Sequence, residues 1–292
     1  MPVSDLSLFN SLGFALDNTT SGLQTLEQQL ATGKQVNQPS DNPSAFAQGE
    51  LYATKQSAVT NDVSIATLAQ GQLSTADNAL ASVNTALDTA IQDATQGSDG
   101  TLNAGQLSAI GQAVGGLLTQ VIGAANTQYG ASYIFGGNQV LTPPYDNAGN
   151  YSGDTGSNSA QLSDGTKLQL TFNGQSIFGD STTGVIGTLT ALQSALNSDN
   201  QPAVAATLTQ LQAEVTQIAQ VRSGIGGTIN NAANEVSSGN TNIISLTSAI
   251  SSATNVDVAQ AAASLQQLNL QDQALVSLGS DLGKLPLINV LA

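Results

Sequence analysis

Apolar side chains recur at Phe9, Leu12, Leu16, Leu23, Leu26 and Leu30, with Thr19 in step, at alternating intervals of three and four residues. That spacing lays one apolar stripe along a helix and is the seam of a coiled coil. The alternation resumes at Ala66 and runs through Ala69, Leu73, Ala76, Leu80, Val83, Leu87, Ala90 and Ala94, with Tyr52 and Val59 on its backward extension. It predicts a helix from about Ser44 to Ala94, roughly 75 Å long at 1.5 Å per residue. "GSDGTLNAG" breaks it, and Leu107, Ile110, Val114, Leu117, Val121 and Ala124 then form a shorter amphipathic segment.

Residues 129 to 186 follow another rule. The stretch is dense in Gly, Asn, Asp and Ser, and Lys167 to Phe172 alternates as a half-buried strand does. Asp164-Gly165 and Asn173-Gly174 read as turns. The helical period returns at Val185 to Leu196, pauses at "NSDNQP", and continues from Val204 to Ile250 as a second long helix of roughly 70 Å. After a slip at "ATNVDV" a last seam runs Val258, Ala261, Leu265, Leu268, Asp272 and Leu275, and Pro286 is expected to end or kink the helix beyond it. Each half of the chain thus mirrors the other. The predicted fold is mainly α: a long antiparallel helical rod, with a coiled-coil terminal layer, a helical bundle and a small β-rich inserted domain. The insertion sits between helices that pair without it, so it is expected to be removable.

Between the first seam and the first long helix lies "GKQVNQPSDNPSAFAQGE". Pro39 keeps the residue before it extended, Asp41 or Asn42 can cap a helix, and Pro43 fits a first helical position. The first helix must therefore stop and a second begin anew. Pro39, Ser40, Asp41, Asn42 and Pro43 form either an articulation between two coiled-coil segments or an ordinary interhelix loop.

Composition narrows the chemistry. The chain of 292 residues has no Cys, His or Trp and only five basic residues, for a formal charge of −15. Cys or His zinc sites, iron–sulfur clusters, Ser-His-Asp triads and Cys nucleophiles cannot be assembled from it, and no cofactor, metal or catalytic residue is assigned. The charge argues against nucleic acid and anionic membranes as partners. "MPVSDLSLFNSLGF" lacks a basic n-region and a continuous apolar core, and no 18-residue apolar run occurs, so neither a cleaved secretory signal nor a membrane span is expected. "DNAGNYSGDTGSNS" matches a calcium loop only in composition, and "ATGK" and "RSGIGGT" match no phosphate-binding fingerprint. Gly224, Gly226 and Gly227 should instead soften the second long helix. A pair of carboxylates such as Asp154 and Asp180 could in principle serve a carbohydrate-active enzyme, though nothing in the sequence places them at a working separation. Tyr133, Phe135, Tyr145 and Phe172 fit a carbohydrate-binding face or the core of the insertion, the core being favoured because the segment has few other large side chains.

Four segments together resemble hook-associated protein 3, a family of flagellar proteins related to flagellin. They are "QLATGKQVNQPSDNPSAFAQ", "STADNALASVNTALDTAIQDATQG", "ANTQYGASYIFGGNQVLTPPY" and "NVDVAQAAASLQQLNLQDQAL". Gln35 stands where the family usually has Arg, Asn42 where it has a second Asp, and "LPLINVLA" departs from the usual ending. The resemblance implies a non-enzymatic, extracellular axial protein of the bacterial flagellum, exported by the type III route without a cleaved signal. It would lie at the hook–filament junction, with itself, hook-associated protein 1, flagellin and an export chaperone as partners. Flagellin itself is the alternative. By the same resemblance, residues 1–40 and 256–292 form an inner coiled-coil layer, 42–130 and 187–252 a helical bundle, and 131–186 an exposed β domain. Phe9, Leu12, Leu16, Leu23, Leu26, Leu30, Val258, Leu265, Leu268 and Leu275 then form an assembly interface as well as an intrachain seam.

Overall fold

A computed structural model describes residues 2–283, so the expected break at Pro286 lies outside the described residues. Seven helices are described: α1 (Pro2–Thr32), α2 (Pro43–Ser98), α3 (Ala104–Ala125), α4 (Gly174–Phe178), α5 (Gly184–Asn197), α6 (Gln201–Thr254) and α7 (Val258–Gly283). Two antiparallel strand pairs accompany them, β1 (Gln128–Tyr129) with β2 (Ser132–Tyr133) and β3 (Ser159–Gln161) with β4 (Lys167–Gln169). The fold is mainly helical, as the apolar periodicity predicts. Of these elements, α4 was not anticipated, and β1, β2 and β3 were anticipated only as part of a β-rich stretch.

The chain divides into two compact units, one made of residues 58–241 and the other of residues 1–57 with 242–292. In the first, the seam positions of α2 from Ala66 to Ala94 are almost wholly excluded from solvent. On α6 the buried positions Val204, Leu211, Ile218, Ile225 and Ala232 recur every seventh residue. The two helices run antiparallel. Asp77 of α2 meets Arg222 of α6, and a Cβ at Gly239 would collide with Val63. α3 and α5 pack on each other. α3 opens on a reciprocal cap in which Asn103 and Gln106 each accept from the other's backbone N–H.

The insertion contains less strand than its alternation promised. The Asp164-Gly165 turn forms, with Gly165 at φ 92° and the Asp164 carboxylate accepting from Thr166 N at 2.9 Å. β4 nevertheless ends at Gln169, because Phe172 N donates to Ile134 O at 2.9 Å and the chain leaves the hairpin. Asn173-Gly174 is not a hairpin turn. Asn173 Oδ1 accepts from Gln175 N at 3.0 Å and so begins α4.

The insertion shares buried clusters with the helices, which its position between them does not suggest. Phe135 and Phe178 are fully buried, with ring centroids 4.9 Å apart in an edge-on arrangement, and Tyr145 stands 6.1 Å from Phe178. These residues belong to the same buried cluster as Leu73, Leu80, Leu107 and Leu189 of the helices. The β3–β4 hairpin adds a second cluster, with Leu162 and Leu168 against Ala66, Ala69 and Ala232. Phe172 is half-buried against the same cluster, so Phe135, Tyr145, Phe172 and Phe178 form a core, while Tyr133 is half-buried outside it.

Candidate assembly surface and joint

In the unit that holds the two chain ends, α1 and α7 pack antiparallel. Leu268 lies against Gly22, and Leu12 against Gly279. Leu12, Leu16, Leu23, Leu26 and Leu30 of α1, and Leu265, Leu268 and Leu275 of α7, are each only half-covered. Thr19 and Ala261 are the buried members of these stripes, and Thr19 Oγ1 satisfies itself on Ala15 O at 2.9 Å. Phe9 and Val258 are 64% and 58% exposed. Two helices cannot enclose a stripe of this width, so the leucines keep one flank in solvent.

Sequence periodicity missed two strongly exposed apolar groups of these helices. Phe14 is 72% exposed and Leu270 66%. At 100° per residue, each lies about 180° from the seam of its own helix and points away from the partner helix. Of the eleven exposed large apolar side chains among the described residues, nine lie in this unit: Leu8, Phe9, Phe14, Leu51, Ile244, Val258, Leu270, Val276 and Leu278. An isolated apolar residue on a polar face breaks no period, so only exposure reveals it.

The joint is built by local hydrogen bonds. α1 ends at Thr32, with Gly33 at φ 71° beyond it, a conformation that glycine adopts without cost. Asn42 is the cap of α2: its Oδ1 accepts from Ala45 N at 3.1 Å, and Pro43 is the first helical residue. Asp41 does something else. Its carboxylate accepts from Asn37 N at 2.8 Å and Gln38 N at 3.0 Å, closing the loop, and these bonds hold its pKa below the ordinary value. Pro39 to Pro43 are all exposed.

This joint is tied to a second one. Gln35 N and Val36 N both donate to Thr254 O, and Val256 N donates to Gly33 O. Asp257 caps α7 by accepting from Ala259 N and Gln260 N. Val36 and Thr254 are buried there, and Gly49 fits beneath Thr254, where a Cβ would come within 2.7 Å of the Thr254 methyl. The sequence reading did not single out the cap at Asp257, although an aspartate just before a helical seam is a cap signal. The pairing of the two joints was not readable at all, because backbone-to-backbone bonds leave no residue signature.

The carboxylates of the insertion serve turns. Asp146 accepts from Ala148 N and Asn150 N, Asp154 from Asn138 N and Gly156 N, and Asp180 from Thr182 N, Thr183 N and both threonine hydroxyls. These bonds lower all three pKa values, Asp180 to about 2. A glycosidase needs one carboxyl with a raised pKa to donate a proton, and the Asp154/Asp180 pair offers the opposite. Among the described residues no group of three or more acidic residues is placed to hold a metal ion.

A family model described as the bacterial flagellin N-terminal helical region matches residues 3–140. Flagellar hook-associated protein 3 of Salmonella typhimurium is 26% identical over 188 residues, which cover 64% of this chain and 59% of that protein. The protein of the same name from Escherichia coli is 29% identical over 161 residues, covering 54% and 51%. The matched region thus spans between half and three-fifths of these relatives. Among solved structures, a putative flagellar hook-associated protein from Vibrio parahaemolyticus shares the fold at a TM-score of 0.68 and 17% identity, covering 74% of this chain and 100% of that one. Bacillus cereus FlgL does so at 0.60 and 24% identity, covering 70% and 98%. The chain is thus similar in sequence to flagellar hook-associated protein 3, and over residues 3–140 to the N-terminal helical region of bacterial flagellin.

Proposed function

We infer that this chain is a non-enzymatic structural protein of the bacterial flagellum, placed outside the cell at the junction of hook and filament. It assembles with copies of itself through the unit formed by its two ends. The observation that carries this reading is the concentration of exposed large apolar side chains in that unit. Such a surface is costly in water and calls for a partner. Seam residues Leu12, Leu16, Leu23, Leu26, Leu30, Leu265, Leu268 and Leu275 hold α1 on α7, and their open flanks, with Phe9 and Val258, meet neighbouring subunits. In this reading residues 1–40 and 256–292 make the inner layer, 42–130 and 187–252 the bundle, and 131–186 the outer domain. Pro39 to Pro43 articulate inner layer and bundle. Hook-associated protein 1 and flagellin are the neighbours at either side, and an export chaperone covers the apolar ends before assembly. Deleting the gene tests the junction role: hooks should persist without filaments while flagellin is shed into the medium. Filaments of normal length on the deleted strain would overturn it.

A further inference from the structure

α6 is helical throughout, yet residues 223–228 read Ser-Gly-Ile-Gly-Gly-Thr. Glycine is the poorest helix former after proline, so three in one turn and a half need a reason. Several other helical glycines, Gly71 and Gly97 among them, have a steric one, while Gly13, Gly116 and Gly123 stand singly or far apart in open space. An added Cβ would lie 2.6 Å from the Tyr129 hydroxyl at Gly71 and 2.6 Å from a Leu196 methyl at Gly97. At Gly224, Gly226 and Gly227 it would meet nothing within 4 Å. Packing does not require these glycines.

Their surroundings are asymmetric. On the seam side Ile218, Ile225 and Ala232 are buried, and Arg222, just before the glycines, is held by Asp77 at 2.8 Å. On another side α6 borders a cleft of about 390 Å³. Thr228, Asn231, Asn234 and Glu235 line it from α6, and Thr166, Lys167 and Gln169 from the hairpin. Thr228 Oγ1 bonds back to Gly224 O at 3.2 Å, a contact of the kind that bends helices. A weak turn, fixed along one edge and beside open space, bends preferentially into that space.

We propose that residues 223–228 are a flexure of α6. The helix bends there into the cleft under the β3–β4 hairpin, while the seam stays closed on α2 and the Asp77–Arg222 pair anchors the near side. The bundle thereby changes curvature without unpacking its core. This inference stands apart from the junction role.

Amide hydrogen exchange on the full chain tests it. Amides of residues 224–229 should exchange at least about tenfold faster than those of 208–218, which share the seam but contain no glycine. Replacing Gly224, Gly226 and Gly227 by Ala should slow the 224–229 amides about tenfold, and Gly226→Ala alone should slow them in the same direction. Gln169→Trp, which fills the cleft from the hairpin without altering α6, should slow them too. Equal rates in the two segments of the native chain would overturn the flexure. Slowing by the alanines but not by Gln169→Trp would overturn its direction into the cleft.

Discussion

Gln35 donates its backbone N–H to the carbonyl of Thr254 at 2.7 Å, joining the end of α6 to the loop that follows α1, and Val36 shares the same acceptor. Neither contact uses a side chain. Gln35 therefore keeps its place in the joint through its main chain. Replacing Val36 by Pro removes one of the two donors and should destabilise the joint by about 1 kcal/mol or more, read as a lower midpoint in urea. Gln35→Ala should be within about 0.5 kcal/mol of the native chain.

The exposed prolines make a different prediction. Pro39 and Pro43 bury nothing, so changing both to Ala should move the melting temperature by no more than about 2 °C. Swimming should nevertheless suffer if the pair sets the angle between inner layer and bundle. Unimpaired motility would reduce the stretch to an ordinary interhelix loop. Asn42→Ala is the contrasting change: it deletes the cap bond to Ala45 N and should cost about 1 kcal/mol.

The helices were legible because a 3.6-residue period is written directly in residues such as Leu73, Leu80 and Leu87. The joint was legible through Pro39, Asn42 and Pro43, whose preferences are local. The packing of the insertion was not legible because it depends on long-range contacts. Nothing local says that Phe135 and Phe178 share a core with Leu80 and Leu189. The outward Phe14 and Leu270 were missed because they break no period.

That shared core yields a measurable outcome. Phe178→Ala should destabilise the bundle by about 3–5 kcal/mol, and Leu168→Ala, in the smaller hairpin cluster, by about 2–5 kcal/mol. Replacing residues 136–180 by a short linker should lower the melting temperature of the helices. A deletion protein that melts like the full chain would show that the insertion core is independent after all.

Acid should act on the insertion first. The carboxyl of Asp180 is held at about 2 by its bonds to Thr182 and Thr183, below its unfolded value near 3.8. Its folded pKa is depressed, so its contribution is complete above pH ~4 and is lost as pH falls toward about 2. Glu214 has the opposite sign. Burial raises its pKa, and its Oε2 has no hydrogen-bond partner among the described residues, so its charge opposes folding at neutral pH and the penalty fades as pH falls through its folded pKa. Glu214→Gln should therefore stabilise the chain at pH 7 more than at pH 4, whereas Asp180→Asn should flatten the loss of stability between pH 4 and 2. Identical acid limbs for native and Asp180→Asn proteins would refute that assignment.

Asp77 and Arg222 form a two-point contact, Nε to Oδ1 at 2.8 Å and Nη2 to Oδ2 at 3.2 Å, with about a third of each side chain exposed. Solvent screening limits such a pair. A double-mutant cycle through Asp77→Asn and Arg222→Gln should give a coupling of about 0.5–1 kcal/mol that shrinks in high salt. A coupling below about 0.2 kcal/mol would make Arg222 merely a long side chain covering the seam.

The last prediction separates folding from assembly by the face on which a charge is placed. Leu211 is fully buried in the α6 seam, so Leu211→Asp must strand a carboxylate in the core of the monomer and cost several kcal/mol. Phe14 and Leu270 already face water, and aspartate there disturbs no intrachain contact of comparable depth. Phe14→Asp and Leu270→Asp should thus leave the monomer's melting temperature within about 2 °C of the native value. If neighbouring subunits cover these faces, each variant should still fail to assemble, because the carboxylate loses its water only when the next subunit docks. Leu16→Asp and Leu265→Asp, on half-covered seam positions, should fall between the two classes, weakening the α1–α7 pair and assembly together. Motility restored to normal by a Leu270→Asp protein would show that this outward face meets no subunit and would confine assembly to the seam flanks.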